Sequence, residues 1–386
     1  MQPIYPPATL GMLGGGQLGR MFAIAAAQMG YHVHVYEASA ECPAAQVADQ
    51  VFVGAWDDHD ALQTFAATCD VITLEFENIP VDALHRCQEQ TPTFPGPNVL
   101  AVAQDRDLEK STLRDAGLPV TPFVVADTVA QLRDAMPTIG FPNHPAIVKT
   151  TRNGYDGKGQ WGIHSLEDLD AVIDADHPSI YRLIAERKIE FECEVSVMVS
   201  ISTSGEIATF PVFQNDHQNH ILHISRCPAR LPQRVLTAAT ETACQAAQAL
   251  GVVGMFCIEF FVLGKSLESE FGCPVMINEV APRPHNSGHL TIEGNVTSQF
   301  QQQVRAVCGL ALGDTSLIRP TAMLNLLGDQ FDADAGLLDP QKFLSISNGH
   351  LHLYGKTTAK PGRKMGHFTV SADSMDECDR SLNTLL

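Results

Sequence analysis

The chain has 386 residues, of which 45% are hydrophobic and 18% are charged, a composition that excludes a disordered chain, a collagen and a coiled coil. Its formal net charge of −19 disfavours binding to nucleic-acid backbones, but a few local cations could still hold a small anionic ligand. No apolar stretch is long enough to predict a membrane span, and no signal peptide is evident at the N-terminus. The ten cysteines follow no regular spacing, so we expect reduced thiols in a cytoplasmic protein.

Short apolar runs alternate with helical stretches over the first hundred residues. The predicted strands are residues 9–13, 32–36, 51–53 and 71–74, and the predicted helices are residues 18–29 and 58–68. Alternation of this kind predicts a parallel, doubly wound sheet. Pro92, Pro95 and Pro97 then interrupt the pattern and indicate a domain boundary near residue 100.

A glycine-rich turn lies between the first predicted strand and the first predicted helix. Residues 14–19, GGGQLG, fit the G-x-G-x-x-G pattern, and Glu37 ends the next strand near the spacing of a ribose-binding acid. Taken alone, this pattern predicts a nicotinamide dinucleotide site. The same glycines also suit a tight turn or the close approach of another ligand, so the alternatives stay open at this point.

A second unit is predicted to begin near Gln104 and to be rich in strands. Its predicted strands are residues 146–150, 181–186, 192–201, 208–213, 255–262 and 275–280. An Ala- and Gln-rich stretch at 233–250 predicts a helix. Residues 350–370 predict short strands around a basic loop, KPGRK, at 360–364.

Two features of the second unit indicate a phosphate ligand. Lys149 ends an apolar strand, AIVK, from which its ammonium could reach phosphate oxygens. The loop that follows, NGYDGKGQ at 153–160, contains three glycines whose backbone N–H groups could fold over a polyphosphate. The loop lacks the G-K-[ST] ending of a Walker A motif, and a flexible surface hairpin is the alternative.

Acidic residues in two later apolar runs indicate a metal site. Glu259 lies within FCIEFF, and Asn278 and Glu279 end VMINEV. Carboxylate and amide oxygens suit Mg²⁺ held together with a triphosphate, although edge-strand acids that face water are the alternative. His285 and His289 have the spacing of a zinc-binding helix, but Pro284 and Gly288 disfavour a helix, and a polar loop that faces the substrate fits better.

A charged connector after the predicted strand 181–186 could form one edge of a nucleotide pocket. Its backbone could hydrogen-bond an adenine, and Glu186 or Glu194 could accept from ribose hydroxyls. Ordinary surface charge is the alternative for these residues.

Together, six motifs resemble in order those of the ATP-grasp ligases, and within them the 5-(carboxyamino)imidazole ribonucleotide synthetase family. The motifs are GGGQLGRM (14–21), TLEFENIP (73–80), QDRDLEK (104–110), GYDGKGQ (154–160), NEVAPRPHNSGHLT (278–291) and PGRKMGH (361–367). The resemblance covers residues 10 to 370 and implies an α/β and α+β protein. It implies an N-terminal Rossmann-like pre-ATP-grasp domain at 1–103, a central ATP-grasp domain at 104–305 with a mobile lid at about 115–185, and a small β-rich C-terminal domain at 306–386.

The resemblance also implies roles for individual residues. The implied ATP-binding residues are Arg106, Lys149, Gly154, Tyr155, Asp156, Gly157, Lys158, Gly159, Gln160, Glu186, Arg187, Lys188, Ile189, Glu194, His217, Asn278 and Glu279. The implied Mg²⁺ ligands are Glu259 and Glu279. The implied substrate-binding residues are Gln17, Leu18, Glu75, Glu77, Tyr155, Lys158, Asn286, Lys356 and Arg363, with Lys356 and Arg363 on a 5′-phosphate. The implied catalytic residues are Lys149, Asp156 and Arg283.

The activity implied by the resemblance is ATP-dependent carboxylation of 5-aminoimidazole ribonucleotide with bicarbonate, through carboxyphosphate, in purine biosynthesis. The implied cofactors are ATP and Mg²⁺, and the implied assembly is a homodimer without nucleic-acid or membrane partners. Two alternatives are a ligase similar to the formate-dependent glycinamide ribonucleotide transformylase and, from the first glycine motif, an NAD-dependent oxidoreductase. A nucleotide-binding regulator without activity is a third.

Overall fold

The computed structural model of the protein describes residues 1–152, 159–174, 182–332 and 336–386. The predicted phosphate-loop residues Gly154, Tyr155, Asp156, Gly157 and Lys158 therefore lie outside the described residues. Among the described helices, none combines the length and hydropathy that crossing a membrane requires.

The N-terminal region forms the predicted parallel sheet. Its elements are β1 (Thr9–Leu13), α1 (Gln17–Gln28), β2 (His32–Glu37), β3 (Gln50–Val53), α2 (His59–Ala66), β4 (Val71–Leu74), α3 (Val81–Gln88) and α4 (Pro97–Ala103). The strand order is β3-β2-β1-β4, and all neighbours are parallel. The prediction of a parallel βα sheet is therefore confirmed.

A second, four-stranded sheet follows and is antiparallel throughout. Its region comprises α5 (Arg106–Asp115), β5 (Phe123–Ala126), α6 (Val129–Ala135), β6 (Ala146–Thr150), β7 (Gln160–Ile163), α7 (Leu166–Asp174) and β8 (Leu183–Arg187). The strand order is β5-β8-β6-β7. We refer to these four strands as the small sheet. The sequence interpretation placed β6 correctly and β8 within two residues, but it missed β5 and β7.

The remaining strands form one large sheet. Its first elements are β9 (Phe191–Ile201), β10 (Ile207–Thr209), β11 (Phe213–Gln218), β12 (Ile221–Cys227), α8 (Gln233–Leu250), β13 (Gly254–Leu263), α9 (Lys265–Phe271) and β14 (Val275–Ala281). The prediction of one strand at 208–213 is wrong, because the chain leaves the β9–β10 ladder after Thr209 and begins β11 at Phe213. Pro211 lies in this break, where its missing N–H costs no ladder hydrogen bond.

The C-terminal strands extend the same large sheet. The last elements are α10 (Thr291–Gly294), α11 (Gln299–Val307), β15 (Thr321–Leu327), α12 (Pro340–Leu344), β16 (Gly349–Leu353), β17 (Lys364–Ser371) and α13 (Met375–Asn383). The order is β14-β13-β9-β11-β12-β15-β17-β16, with β10 on the side of β9. The β12–β15 pairing therefore joins the strands implied for a small C-terminal domain directly to those of the central region.

The two faces of the large sheet differ in polarity. On one face, Val195, Val197 and Ile258 pack with Ala239 and Ala243 of α8 in a buried core. Because successive side chains of a strand alternate between faces, Glu194 and Ser196 of β9 lie on the opposite face. Cross-strand pairing sets Asn215 beside Glu194 and Glu259 beside Ser196 and Glu279. The fold thus lines up polar and acidic side chains from four strands on one surface.

Candidate active site

The polar face of the large sheet forms part of a cleft of about 870 Å³. This size is typical of a pocket for a nucleotide-sized ligand. The predicted site residues that line it are Glu77, Arg106, Lys149, Gly159, Gln160, Glu186, Arg187, Lys188, Ile189, Glu194, His217, Glu259, Asn278, Glu279, Arg283 and Asn286. Residues from the N-terminal region, the small sheet and the large sheet, including its strand β17, therefore line one cavity.

Glu259 and Glu279 are directly paired across β13 and β14. The register shifts immediately after Glu259, so a bulge lies at the acidic pair. Burial and the neighbouring Glu279 carboxylate raise the pKa of Glu259 to about 7. Among the described residues, no three His, Cys, Asp or Glu side chains converge as a metal site. The carboxylates of Glu259 and Glu279 would suit a hard divalent cation, to which phosphate oxygens and water could add further oxygen ligands.

Lys149 belongs to a buried ion-pair network around Glu186. Nζ of Lys149 lies 2.8 Å from Oε1 of Glu186, and Nζ of Lys110 lies 3.1 Å from Oε2. The hydroxyl of Thr121 donates to the same carboxylate, and Lys110 donates to Thr121 at 2.8 Å. Burial alone would raise the pKa of Glu186, but Lys110, Lys149 and Arg106 outweigh it and lower that pKa. Glu186 is therefore an anion that orients Lys149, rather than a free ribose acceptor.

Arg106 connects the start of α5 to the acidic pair. Its Nη2 lies 3.4 Å from Oε2 of Glu279. Asp105 caps α5 by accepting hydrogen bonds from the N–H groups of Asp107 and Leu108, which holds Arg106 at the first helical position. The guanidinium thus lies beside one proposed metal ligand, where it can also contact phosphate oxygens.

His217 and Glu194 form another pair in the cleft. Nδ1 of His217 lies 2.7 Å from Oε2 of Glu194. Burial opposes protonation, but the contact with Glu194 and the charges of Glu259, Glu194 and Glu279 raise the pKa of His217 above its ordinary value. The β11–β12 register shift lies between Asp216 and His217, next to this pair.

The connector after β8 lines one side of the cleft. Lys188 and Ile189 line the cavity between β8 and β9. The side chain of Arg187 contacts both carboxylate oxygens of Glu270 and stacks over Phe271 at 5.2 Å. Arg187 therefore braces the end of β8 against α9.

Arg283 and Glu77 connect the N-terminal region to the large sheet. The guanidinium donates to both carboxylate oxygens of Glu77, with Nη2 to Oε1 at 2.9 Å. Because of the Arg283 charge and hydrogen bonds, the pKa of Glu77 is lowered even though burial opposes this shift. Both residues line the same cleft as the acidic pair, and the ion pair with Arg283 favours the ionised form of Glu77.

Glu75 has a different environment. Its carboxylate accepts hydrogen bonds from the backbone N–H groups of Gly16 and Gly19 at the start of α1, the latter at 2.8 Å. Glu37 accepts from the N–H of Gly15 at 2.9 Å. In a dinucleotide-binding fold these N–H groups would bind the pyrophosphate. Here the carboxylates of Glu75 and Glu37 occupy that position, which argues against the NAD-dependent oxidoreductase alternative.

The other predicted substrate residues lie outside the lining of the main cleft. Among the described residues, Gln17, Leu18, Glu75, Lys356 and Arg363 do not line it. Gln17 and Leu18 begin α1, next to the turn that Glu75 closes. Burial and the charge of Arg363 lower the pKa of Lys356 to about 8. The charge of Glu75 opposes this shift, and the charge of Lys364 adds to it. Lys364 itself lines the cleft, so the residues around Lys356 adjoin the main cleft at Lys364.

Sequence reasoning missed three residues of the site. Lys364 lies in the PGRKMGH motif, but the resemblance implies no role for it. Lys110 lies one helical turn after Arg106, and this i, i+4 spacing is the signal that could have found it. His285 was assigned only to a polar loop, yet its Nε2 lies 3.5 Å from Oε1 of Glu259 inside the cleft.

Comparison with known proteins identifies the family. Residues 7–104 match the ribonucleotide synthetase preATP-grasp domain, 111–300 the ATP-grasp domain, and 321–381 the phosphoribosylaminoimidazole carboxylase C-terminal domain. The chain is 40% identical to the N5-carboxyaminoimidazole ribonucleotide synthase of Bacillus subtilis, over 97% of this chain and 94% of that protein. The chain belongs to the N5-carboxyaminoimidazole ribonucleotide synthase family. The family member of Brucella melitensis is 41% identical, over 95% of this chain and 97% of its own length.

Solved structures of this family share the whole fold. A crystal structure of an N5-carboxyaminoimidazole ribonucleotide synthetase with ADP matches with a TM-score of 0.91 and 39% identity, over 100% of this chain and 98% of the other. The Aspergillus clavatus enzyme, in complex with ADP and 5-aminoimidazole ribonucleotide, matches with a TM-score of 0.86 and 30% identity, over 98% and 97%. The resemblance and the three-part fold class expected from the sequence are therefore confirmed.

Proposed function

We propose that the protein uses ATP and bicarbonate to carboxylate the exocyclic amine of 5-aminoimidazole ribonucleotide in purine biosynthesis. The products are N5-carboxyaminoimidazole ribonucleotide, ADP and phosphate, so the protein is an ADP-forming ligase of the ATP-grasp type. The observation that carries this proposal is the meeting of Lys149, Glu259 and Glu279 in one cleft, although they are far apart in the sequence. The relatives that share this fold include one with both ADP and 5-aminoimidazole ribonucleotide bound.

The acidic pair supports a requirement for Mg²⁺. Glu259 and Glu279 would hold the ion, with Asn278 beside them, and Arg106 already contacts Glu279. Bound there, Mg²⁺ would neutralise charge on the triphosphate and hold its oxygens in place. A cation would also relieve the repulsion that raises the pKa of Glu259.

The first chemical step is transfer of the γ-phosphoryl group of ATP to a bicarbonate oxygen, which forms carboxyphosphate. Bicarbonate is a poor electrophile, and this transfer converts one of its oxygens into a good leaving group. Negative charge spreads over the transferring group, and the cations of Lys149 and Arg106 can offset it. Arg283, held by Glu77, provides a further cation for the bicarbonate anion, with Asn286 beside it.

In the second step the exocyclic amine of the ribonucleotide attacks the carboxyl carbon, or CO₂ released from carboxyphosphate, and phosphate leaves. The amine loses one proton in this step, and we propose Asp156 as the group that accepts this proton. The glycines at 154, 157 and 159 are proposed to form a phosphate loop that excludes water, because water destroys carboxyphosphate. Tyr155 and Lys158 remain proposed contacts of this loop with both substrates.

The 5′-phosphate of the ribonucleotide is proposed to bind at Lys356 and Arg363. These two cations and Lys364 lie near one another and near Glu75, beside the start of α1. A dianionic phosphate would offset the mutual repulsion of the cations. Gln17 and Leu18 are proposed to contact the aminoimidazole end of the same molecule.

A phosphate-release assay tests this function. Purified protein should release phosphate when Mg·ATP, bicarbonate and 5-aminoimidazole ribonucleotide are all present, and omission of the ribonucleotide should abolish most of the release. Glycinamide ribonucleotide with formate should not support phosphate release in place of 5-aminoimidazole ribonucleotide with bicarbonate. Release with that second pair would instead support the transformylase alternative. Tight binding of NADH without ATP binding would support the oxidoreductase, and ATP binding without turnover would support a regulator.

Two further expectations remain proposals. A homodimer rests on the family alone, and sedimentation velocity would test it. A cytoplasmic location is consistent with an enzyme of purine biosynthesis, and localisation of a tagged chain would test it.

A further inference from the structure

A chain of buried polar side chains crosses the large sheet and ends at His285. The hydroxyl of Ser225 donates to Oδ1 of Asn215 at 2.7 Å, and Nδ2 of Asn215 donates to Oγ of Ser196 at 2.9 Å. Oγ of Ser196 lies 2.8 Å from Oγ of Ser287, which lies 2.9 Å from Nδ1 of His285. The three serines and Asn215 are all buried. We call Ser225, Asn215, Ser196 and Ser287 the serine–asparagine relay.

The relay has a direction, because each hydroxyl has one hydrogen to donate. Ser225 uses its hydrogen on the amide oxygen of Asn215, so the amide nitrogen faces Ser196. Ser196 accepts that hydrogen bond, so its own hydrogen is free to be donated to the oxygen of Ser287, which lies 2.8 Å away. The hydrogen of Ser287 is then available for donation to Nδ1 of His285, which lies 2.9 Å from the serine oxygen.

A second observation supports the same direction independently. The backbone N–H of Ser287 also donates to Nδ1 of His285, at 3.4 Å. A hydrogen on Nδ1 would oppose this N–H group. Nδ1 is therefore an acceptor from two sides, and a neutral His285 carries its proton on Nε2. Nε2 is the nitrogen that lies 3.5 Å from Oε1 of Glu259.

We propose that the serine–asparagine relay fixes His285 as the Nε2–H tautomer and thereby makes it a hydrogen-bond donor in the cleft. Ser225, Asn215, Ser196 and Ser287 are positioning residues, since they act through the ring and are not among the residues that line the cleft. Buried polar chains of this kind are costly unless every member is satisfied, and this one satisfies each member in turn. The relay thus links the centre of the large sheet to the acidic pair.

The direction of the relay has a chemical consequence for carboxylation. A ring with its proton on Nε2 can donate to a carboxylate or carbonate oxygen, but that nitrogen has no lone pair to receive the amine proton. His285 therefore serves as a donor that orients Glu259 or an oxygen of the activated bicarbonate. This consequence rests on the proposed function, whereas the tautomer itself does not.

The tautomer can be measured directly in the whole protein. Long-range ¹H–¹⁵N correlation spectra of protein labelled with ¹⁵N-histidine distinguish a protonated ring nitrogen from an unprotonated one. Comparison with a His285→Gln variant assigns the signals. At neutral pH we expect Nδ1 of His285 to be unprotonated and Nε2 to carry the hydrogen. A protonated Nδ1 in the wild-type protein would overturn the proposal without any variant.

Three variants test whether the relay sets the tautomer. Ser287→Ala removes the direct donor, Ser196→Ala removes the donor to Ser287, and Asn215→Leu interrupts the chain one link earlier. Each should raise the fraction of the Nδ1–H tautomer, most strongly for Ser287→Ala. Ser200→Ala is the matched control, because Ser200 is a buried serine of β9, like Ser196, and its hydroxyl has no hydrogen-bond partner among the described residues.

The kinetic readout separates positioning from general damage. The relay variants should lower kcat roughly tenfold, with KM for ATP changed by less than about twofold. Ser200→Ala should leave both constants unchanged. If Ser196→Ala and Asn215→Leu retain the wild-type tautomer in folded protein, the relay is overturned. If the tautomer behaves as expected but the wild-type protein releases no phosphate, the carboxylation assignment fails and the relay stands.

Discussion

Nζ of Lys149 lies 2.8 Å from Oε1 of Glu186, and both side chains are buried at the small sheet. Lys110 contacts the other carboxylate oxygen at 3.1 Å, so one anion is shared by two cations. This arrangement leaves net positive charge beside the cleft. Because Glu186 neutralises Lys110 as well as Lys149, it does not fully offset the charge of Lys149. We infer that Lys110 thereby leaves Lys149 able to bind phosphate.

Glu186→Gln should destabilise the protein strongly. The substitution leaves the ammonium groups of Lys110 and Lys149 buried without a counter-charge, which costs about 3–5 kcal/mol. Chemical denaturation followed by circular dichroism measures the free energy of unfolding. Glu241→Gln, at an exposed position of α8, is the control and should change it little. A variant as stable as the wild type would show that the network is not a charge-balanced unit.

Glu279→Gln should impair the use of Mg·ATP. The substitution removes one proposed metal ligand and the partner of Arg106, so we expect turnover to fall on the order of 100-fold. The rate is to be measured as a function of Mg²⁺ concentration, with circular dichroism to confirm the fold and Glu241→Gln as the control. Unchanged turnover with unchanged Mg²⁺ dependence would remove Glu279 from the metal site.

Lys356 should give the reaction a basic limb in its pH dependence. Its pKa of about 8 lies below the usual value for lysine because of burial and the nearby Arg363. As pH rises through this value the ammonium loses its charge, while the substrate phosphate remains a dianion. The kcat/KM for the ribonucleotide should therefore fall above pH 8, approaching about tenfold per pH unit.

Lys356→Ala should raise KM for the ribonucleotide more than KM for ATP and should remove this limb. Lys360→Ala, at an exposed position of the adjacent basic loop, is the control and should keep the limb. A limb that persists in Lys356→Ala would assign the titration to another group.

Gly16→Ala should disturb the substrate site without affecting ATP binding. A Cβ at position 16 would meet the carboxylate oxygens of Glu75, which must then leave the turn. We expect KM for the ribonucleotide to rise roughly tenfold, equivalent to about 1.4 kcal/mol of binding free energy. Gly96→Ala, where a Cβ meets no atom closer than 4.0 Å, is the matched control. An equal rise in KM for ATP and for the ribonucleotide would contradict the separation of the two subsites.

The N-terminal sheet could be predicted from the sequence because its signals are local. Strand β4, Val71–Leu74, is buried at every position and reads as a short apolar run between turns. Strand β12 was missed because His223 and Ser225 interrupt its apolar pattern. Ser225 nevertheless belongs in the sheet, since Asn215 on the neighbouring strand accepts its hydrogen bond. That partner is a tertiary contact, which no local pattern reveals.

The candidate site could also be predicted from the sequence only in part. The types of Lys149, Glu259 and Glu279 indicated phosphate and metal chemistry, and the structure brings these residues into one cleft. The pairing of Lys149 with Lys110 through Glu186 depends on how α5 and the small sheet pack, and sequence spacing does not show it. Taken alone, the glycine motif at 14–19 favours a dinucleotide, and the sequence does not show that Glu75 accepts hydrogen bonds from its backbone N–H groups.

The transfer of oxygen from bicarbonate to phosphate tests the proposed reaction most directly. The protein is to be supplied with Mg·ATP, 5-aminoimidazole ribonucleotide and bicarbonate labelled with ¹⁸O, and the released phosphate examined by ³¹P NMR. Formation of carboxyphosphate predicts one ¹⁸O atom in each phosphate, because the oxygen that attacks the γ-phosphoryl group stays with phosphorus. Phosphate without ¹⁸O would mean that water attacks ATP, and it would contradict the account.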